Sequence, residues 1–275
     1  MKAVGGHWSG RAAAALTALL CAACGPSLMS LPPSAGSLPL DATAALAEAT
    51  SECRAVSPLT AVVDVSGSID GRRVHGTLLA GVARPAAVRL EAVAPAGPPL
   101  FIFVARDDEA TLLLPREDRV VEHERPETVL EAVAAIPMTA SELRLALTGC
   151  TAAPDALSAR GVGPDWRIVP DGSGDAYLQR SGQNGPWRLV AAIRRQPDRA
   201  GVDSWRAEYR DFDRGLPRVV RLTSADRARF DIRLMLSQVE INVPLGPDAF
   251  AARIPPRVAP MTVQELRDNG PLRRR

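Results

Sequence analysis

Residues 59–93, LTAVVDVSGSIDGRRVHGTLLAGVARPAAVRLEAV, decide the fold of this chain. Three apolar runs are separated by two turn signals, Asp70-Gly71 and Arg84-Pro85. An Asp-Gly pair between two such runs is typical of a tight β-hairpin, and proline interrupts a strand. The stretch therefore predicts a meander of antiparallel strands. The predicted strands are residues 61–69, 74–82 and 87–93.

The meander continues past this stretch. A Pro/Gly-rich connection at 95–99 leads into an apolar run at 100–104, Asp107-Asp108 form the next turn, and further strands are predicted at 110–114 and 119–124. The run at 100–104 is apolar on both faces, unlike a strand with one face in solvent. We therefore expect this strand to be covered on both sides.

Two short helices interrupt the strands. Pro126-Glu127 begin a helix that ends near residue 135, because proline suits the first helical turn. Ser141-Glu142 begin a second helix, and Gly149 ends it. Apolar residues at helical spacing give both helices a buried face.

The second half of the chain returns to strands. Trp205, Ala207 and Tyr209 alternate with charged residues, which is typical of a sheet with one wet and one apolar face. The last strand changes its apolar phase, so a bulge is predicted near Ser237-Gln238. The pattern predicts a mainly β (α+β) fold built on a strongly curved antiparallel sheet. The predicted strands are residues 165–169, 176–179, 187–194, 205–209, 218–222 and 230–243.

The N-terminus has the layout of an export signal, with a positively charged start, an apolar run over residues 12–20 and small residues before Cys24. Ala22-Ala23 before this cysteine resemble the lipobox of bacterial lipoproteins, in which the thiol receives a diacylglyceryl group. We therefore expect a signal peptide at residues 1–23 and a lipid anchor on Cys24. Lipidation of Cys21 and ordinary secretion with Cys24 free are the alternatives.

The residues that follow suggest where the protein acts. Residues 24–40 are rich in Ser, Pro, Gly and Leu without periodicity, which indicates a flexible linker. Gly25, rather than an aspartate, follows Cys24, and the resemblance to enterobacterial sorting rules then favours the periplasmic face of the outer membrane. The anchor would attach the protein to the membrane without a transmembrane helix.

Cys53 and Cys150 are the cysteines that remain outside the signal region. Cys53 lies on the buried side of a predicted N-terminal helix, which Asp41 can cap and which reaches about residue 56. Since an exported chain matures in an oxidising compartment, we predict a disulfide between them, worth about 4–5 kcal/mol in the chain-entropy model. Two buried free thiols are the alternative.

Several classes of function find little support. The formal charge is +2 and lysine occurs only once, so nothing favours nucleic-acid binding. His75 and His123 stand singly without cysteine or carboxylate at ligand spacing, so we expect no metal and no cofactor. The chain contains no nucleophile elbow or phosphate-binding glycine loop. Asp64, Ser66 and His75 could be combined into a catalytic triad, but they fit the polar positions of a solvent-exposed sheet face better. We expect no catalytic residue.

Several segments of this sequence resemble the LolA/LolB superfamily of lipoprotein carriers and receptors. They correspond to the family's strand and turn, its helix, its proline-containing elbow, its glycine-terminated helix and its closing segment. The overall layout covers residues 41–258, with 259–275 as a C-terminal tail. The segments are residues 89–97, 127–130, 136–138, 143–149 and 250–256.

The resemblance implies a half-open β-barrel with an N-terminal helix and two inserted lid helices, whose apolar inner face accepts acyl chains. It also implies a protruding apolar loop that helps to place cargo in the membrane. Here Ala96 stands in the place of the family's leucine, and Leu100 or Phe101 nearby can supply the apolar tip. The residues expected to line the cavity are Val88, Leu90, Leu100, Ile102, Leu112, Leu114, Leu130, Val133, Leu143, Leu147, Leu189, Trp205, Leu222 and Leu234.

The predicted function is non-catalytic binding of the acyl chains of lipoproteins or lipids by a monomeric, membrane-anchored protein. A periplasmic LolA-like carrier is the partner that the resemblance implies. A structural or adaptor lipoprotein, with residues 254–275 docking another envelope protein, is the alternative. A periplasmic hydrolase is a third possibility with less support.

Overall fold

The structure, a computed structural model, describes residues 27–33, 35–172, 174–182, 184–195, 203–225, 227–246 and 248–271. The predicted signal peptide and Cys24 lie outside these residues. Residues 27–31 belong to a separate unit and contain no helix or strand, whereas Pro32–Arg275 form one compact unit.

The first half of the sheet is the predicted meander. Its first hairpin turns at Asp70 and Gly71, whose φ angles of 47° and 73° are those of a two-residue hairpin loop. The positive φ explains why glycine occupies the second position. The strands are β1 (Leu59–Ile69), β2 (Arg72–Ala83), β3 (Ala87–Val93), β4 (Ile102–Arg106), β5 (Glu109–Leu114) and β6 (Arg119–Glu124).

The second half of the chain extends the same sheet from the other side of β1. These strands are β7 (Arg160–Val162), β8 (Trp166–Asp171), β9 (Gly174–Arg180), β10 (Trp187–Arg195), β11 (Asp203–Asp213), β12 (Leu216–Ser224), β13 (Phe230–Ile241) and β14 (Ala259–Pro260).

In the described part of the chain these fourteen strands form one sheet, in the order β14-β6-β5-β4-β3-β2-β1-β13-β12-β11-β10-β9-β8-β7. Neighbouring strands are antiparallel except for β14 and β6. The outermost strands β14 and β7 do not pair with each other, so the curved sheet stays open. The predicted mainly β, half-open fold is confirmed.

The predicted bulge lies in β13. Thr60 pairs with Glu240, but Val62 pairs with Ser237, so β13 has one extra residue at this point. Gln238 adopts a left-handed backbone with a φ of 48°. The bulge keeps apolar residues on the inner face along both parts of the strand.

Among the residues that the structure describes, four α-helices accompany the sheet: α1 (Ala42–Ala55), α2 (Pro126–Ala134), α3 (Ala140–Thr148) and α4 (Val263–Asn269). Pro126 opens α2, as predicted. Helix α3 begins with a capping box in which the Thr139 hydroxyl accepts a hydrogen bond from the backbone N–H of Glu142 at 3.2 Å. Gly149 ends α3 in a left-handed conformation.

Asp41 does not cap α1 with its side chain. Its carboxylate instead accepts hydrogen bonds from Arg167, 2.6 Å from Nε and 2.9 Å from Nη2. A guanidinium is a stronger partner for a carboxylate than a neutral backbone N–H, and this partner lies 126 residues away in the chain. The sequence alone indicates only the local cap, because it does not show that Arg167 lies beside Asp41 in the fold.

Cys53 and Cys150 are joined by a disulfide bond, with their Cα atoms 5.6 Å apart. The bond connects α1, which packs on β8, β9 and β10, to the end of α3, which packs on β3 and β12. It therefore ties the lid to the far half of the sheet.

The domain boundaries predicted from the sequence need two corrections. Within the proposed linker, Ser37 and Gly161 exchange backbone hydrogen bonds of 3.2 and 2.8 Å, so residue 37 is already bound to the domain. Residues 259–269 are not a separate tail, because they form β14 and α4. Leu266 of α4 is completely buried against the core, and α4 packs on α2. These buried apolar contacts outweigh the Pro/Arg-rich composition that suggested a tail.

The outer face of β4 is also covered. Phe103 and Ala105 lie in the core, while Ile102 lies on the opposite face, in a groove closed by a segment that includes Phe250 and Ala251. The Ala251 carbonyl accepts a hydrogen bond from Arg89 Nη1 at 2.9 Å, which holds the segment in place. The two-sided cover expected for this strand is therefore present.

Candidate functional site

An apolar cavity lies between the inner face of the sheet and the helices α2 and α3. We call it the inner cavity. Its volume is about 160 Å³. Its walls come from β1 to β5, β12, β13, α2 and α3 and from the turns between them. The lining residues are Val63, Val65, Ile69, Val74, His75, Gly76, Thr77, Leu78, Ala80, Leu90, Ala92, Val93, Leu100, Phe101, Phe103, Leu112, Leu130, Val133, Ala134, Ile136, Leu143, Leu147, Leu222, Ile232 and Leu234.

Strand alternation explains the composition of this wall. Val63 and Val65 of β1 pair with Leu78 and Gly76 of β2, so all four lie on the inner face. Thr77 and His75 are the polar lining residues, but as odd-numbered residues of β2 they have their side chains on the outer face. The inner cavity therefore offers hydrocarbon contacts and no partner for a charge.

The size of the inner cavity limits what it holds in this conformation. Pockets for drug-sized ligands are about 300–1,000 Å³, whereas a dry cavity of about 150 Å³ accepts a ligand the size of benzene. At about 160 Å³ the inner cavity fits a short hydrocarbon segment. A complete acyl chain requires the lid helices or lining side chains to move.

The opening of the inner cavity lies where β2 extends beyond β3. The pairing of these strands begins at Thr77 and Val93, so residues 72–76 of β2 have no β3 partner. Val74 and Leu100 are only partly buried here, and Val93 is 43% exposed. This side of the cavity is the least covered by protein.

Nine of the fourteen residues expected to line the cavity do so. They are Leu90, Leu100, Leu112, Leu130, Val133, Leu143, Leu147, Leu222 and Leu234. The other five lie elsewhere: Val88, Leu114, Leu189 and Trp205 are packed in the filled core, and Ile102 borders the outer groove. An apolar pattern identifies an inward-facing residue, but it does not distinguish a filled layer from a hollow one.

The largest group missed from the sequence belongs to the first hairpin. Val63, Val65, Val74 and Leu78 line the inner cavity, although none was in the predicted set. The signal was present, because these residues alternate with Asp64, Ser66, His75 and Thr77 on the two strands. Pairing β1 with β2 through the Asp-Gly turn would have put them on one face.

The predicted membrane or cargo loop is held against the domain. Arg116 donates hydrogen bonds to the carbonyls of Ala96 at 2.6 Å and Pro98 at 3.1 Å. Ala96 is exposed at the tip, whereas Leu100 and Phe101 line the inner cavity. Leu100 and Phe101 therefore form part of the cavity wall and do not form the tip of the loop.

A buried ionic cluster joins the lid to the sheet. Arg194 Nη2 lies 2.7 Å from Asp171 Oδ2, and Arg194 Nε lies 3.9 Å from Glu142 Oε1 in the first turn of α3. Asp171 also accepts hydrogen bonds from the backbone N–H groups of Ala152 and Ala153. These partners satisfy the buried Asp171 carboxylate, and the ion pair with Glu142 links α3 to the sheet.

The side chains of Asp64, Ser66 and His75 lie on the outer face of the first hairpin, where Ser66 pairs directly with His75, and not in the inner cavity. Asp64 accepts a hydrogen bond from Thr77 Oγ1 at 2.9 Å, on the outer face of the hairpin. His123 pairs with Glu109 at 2.5 Å in an exposed position. Burial raises the pKa of the Tyr209 phenol, so this group stays protonated near neutral pH.

No group of three or more histidine, cysteine, aspartate or glutamate residues is arranged to hold a metal ion in the described part of the chain. Of the helices that the structure describes, none has both the length and the apolar character needed to span a membrane.

The open, curved antiparallel sheet with helices over its inner face is a fold that this chain shares with a solved LolA superfamily structure. A LolA superfamily protein from Nitrosomonas europaea matches with a TM-score of 0.54 and 13% identity, over 77% of this chain and 97% of that one. The fold that the sequence resemblance implies is thereby confirmed.

Two further solved structures overlap with the chain. An outer membrane lipoprotein-sorting protein domain from Vibrio parahaemolyticus has a TM-score of 0.48 and 11% identity, over 76% of this chain and 97% of that one. A DUF1329 family protein from Desulfovibrio piger has the same TM-score and identity, over 76% and 96%. No protein-family model and no curated protein sequence matches the chain.

Proposed function

We propose that this protein binds the acyl chains of lipoproteins or lipids in the inner cavity, without covalent chemistry, at the periplasmic face of the outer membrane. The observation that carries the proposal is the cavity wall, whose inward-facing side chains are hydrocarbon throughout. Burying apolar surface contributes about 25 cal/mol per Å², which gives useful affinity without a charged contact.

The anchor and the location belong to the same proposal. A signal peptide at residues 1–23 would be removed, and Cys24 would carry the lipid. A disulfide such as Cys53–Cys150 is typical of proteins that mature in an oxidising compartment, which supports export. A protein held at the membrane in this way would exchange cargo as a monomer with a periplasmic LolA-like carrier.

The lid geometry supports a binding role rather than catalysis. The side chains that point into the inner cavity neither attack a bond nor transfer a proton. Helix α3 is tied to the sheet by the ionic cluster and the disulfide, while α2 has no disulfide. We infer that α2 and the adjoining loop move when a chain longer than the cavity enters.

Extraction of the purified protein, followed by mass spectrometry, tests the proposal. We expect acyl-bearing molecules to co-purify with the wild type and to be lost in Gly76→Phe. A Cβ at Gly76 would have no atom within 4 Å, so the ring has room to enter and block the opening without a backbone clash.

Ser66→Phe is the matched control, because Ser66 is exposed on the outer face of the same hairpin. We expect this variant to retain bound lipid. A wild-type protein that never carries or takes up acyl chains would contradict the proposal and favour the adaptor alternative.

A further inference from the structure

Residues 72–76 of β2 form an open strand edge, which we call the β2 edge. On one side these residues pair with β1 from Arg72 to Gly76, but β3 joins β2 only at Thr77. No strand in the described part of the chain pairs with the other side. Arg72, Arg73, His75 and Gly76 are all exposed there.

The register shows which backbone groups face the open side. Ile69 and Arg72 close the two-residue hairpin and must exchange backbone hydrogen bonds. In an antiparallel pair such bonded pairs alternate with non-bonded ones. Arg73 and His75 are therefore the residues whose N–H and C=O groups point away from β1. The β2 edge presents two donors and two acceptors to an incoming strand.

The two end strands of the sheet are shorter than the β2 edge. Strand β14 has two residues and β7 has three, so neither end offers a long template for another strand. The β2 edge is longer and lies within the sheet, beside the opening of the inner cavity. Val74 and Gly76 of the same segment line that cavity. A molecule that leaves the cavity through its opening passes along the β2 edge.

We propose that the β2 edge pairs with the extended polypeptide that follows the acylated cysteine of a lipoprotein, while the acyl chains occupy the inner cavity. The inference rests on the proposed function and names its cargo as lipoprotein rather than free lipid. A free lipid has no run of backbone amides and cannot use this edge. A peptide adds a strand through its main chain, so its sequence is not restricted.

The two contacts would reinforce each other. A strand advances about 3.3 Å per residue, so a tail of five or six residues spans the β2 edge. Once the acyl chains are bound, pairing of the attached tail becomes an intramolecular step. We therefore expect the tail to raise the affinity by about tenfold, since each added hydrogen bond contributes modestly in water.

The test compares two ligands by isothermal titration calorimetry with the full protein. One is a triacylated cysteine amide, and the other carries the same acyl group with an uncharged six-residue tail. The wild type should bind the tailed ligand about tenfold more tightly. Methylating alternate backbone nitrogens of the tail should abolish this gain, and this control leaves the protein unchanged.

Protein variants give a second measurement. Arg73→Pro removes an outward-facing N–H without touching the pairing with β1, so the gain from the tail should fall while binding of the triacylated cysteine persists. Arg73→Ala keeps the N–H and should keep the gain. Equal affinities for the two ligands, or a gain that survives methylation, would overturn the inference and leave the proposed function standing. If neither ligand binds, both fail.

Discussion

Leu130 shows how much a single residue of the lid contributes. It is 9% exposed and lines the inner cavity from α2. Leu130→Asp would put a carboxylate among hydrocarbon side chains, so we expect the free energy of unfolding to fall by about 3 kcal/mol or more and lipid loading to be lost. Urea denaturation and lipid extraction measure the two effects.

His75→Ala is the comparison for that prediction. The histidine side chain is exposed on the outer face, so we expect its removal to change stability by about 0.5 kcal/mol or less. Equal losses of lipid binding from the two changes would argue against a non-catalytic role.

Asp41 contributes a stability that depends on pH. Hydrogen bonds from Arg167 hold the pKa of its carboxyl below the ordinary value, so the folded state binds this proton less readily than the unfolded chain. The contribution is therefore present above about pH 4 and lost as the pH falls through the lowered folded-state pKa.

Asp41→Asn tests this dependence. Because the carboxylate is 40% exposed, we expect the variant to lose only about 0.5–1 kcal/mol at pH 7. The difference from the wild type should shrink in unfolding measurements near pH 3. A difference that is the same at both pH values would contradict the role given to this ion pair.

Glu208 is a residue whose burial the sequence pattern does not predict. Its alternation with Trp205, Ala207 and Tyr209 predicted a wet face, yet its side chain is only 1% exposed. Arg206 and Arg210 lie within 2.6 and 3.3 Å of its carboxylate and cover it. Long arginine stems bury a neighbour that periodicity alone places in water.

At the scale of elements, α4 is the most informative. Leu266 is completely buried, so Leu266→Ala should lower the free energy of unfolding by about 2–4 kcal/mol. Arg267→Ala, at an exposed position of the same helix, should have little effect. Urea denaturation of the two variants distinguishes an integral helix from a loosely attached tail, which would show equal and small losses.

Most elements were predictable because their signals are local. The Asp70-Gly71 turn, the proline that opens α2 and the glycine that ends α3 each determine backbone geometry within a few residues. Strand β14, where the sequence predicts a tail, escapes prediction for the opposite reason. Ala259 pairs with Arg119, and no local residue pattern near position 259 indicates a strand of two residues.

For the whole domain, the disulfide is the strongest link between distant parts. It closes a loop between residues 97 positions apart, so replacing both Cys53 and Cys150 by alanine should lower the free energy of unfolding by about 4–5 kcal/mol in the chain-entropy model. Urea denaturation without reductant measures this loss. The wild type in reductant should behave like the variant, and an undiminished stability in both cases would contradict the prediction.

The sequence alone does not locate the inner cavity along the sheet. The sequence indicated inward-facing residues in both halves of the sheet, but Leu189 and Trp205 are in a filled layer while Leu222 and Leu234 reach open space. The placement of the lid helices above the curved sheet determines whether an inward-facing residue lies in a filled layer or in the cavity. That placement depends on contacts such as Arg194 with Glu142, which join parts of the chain far apart in sequence.

The pairing of β1 with β13 has a consequence for biogenesis. The centre of the sheet joins residue 59 to residue 241, so the middle of the domain cannot form until about 180 intervening residues are available. A chain emerging from a ribosome would lack its central partner strand for most of its synthesis. Such late closure would keep the polypeptide unfolded and able to pass through a narrow channel, as the proposed export requires.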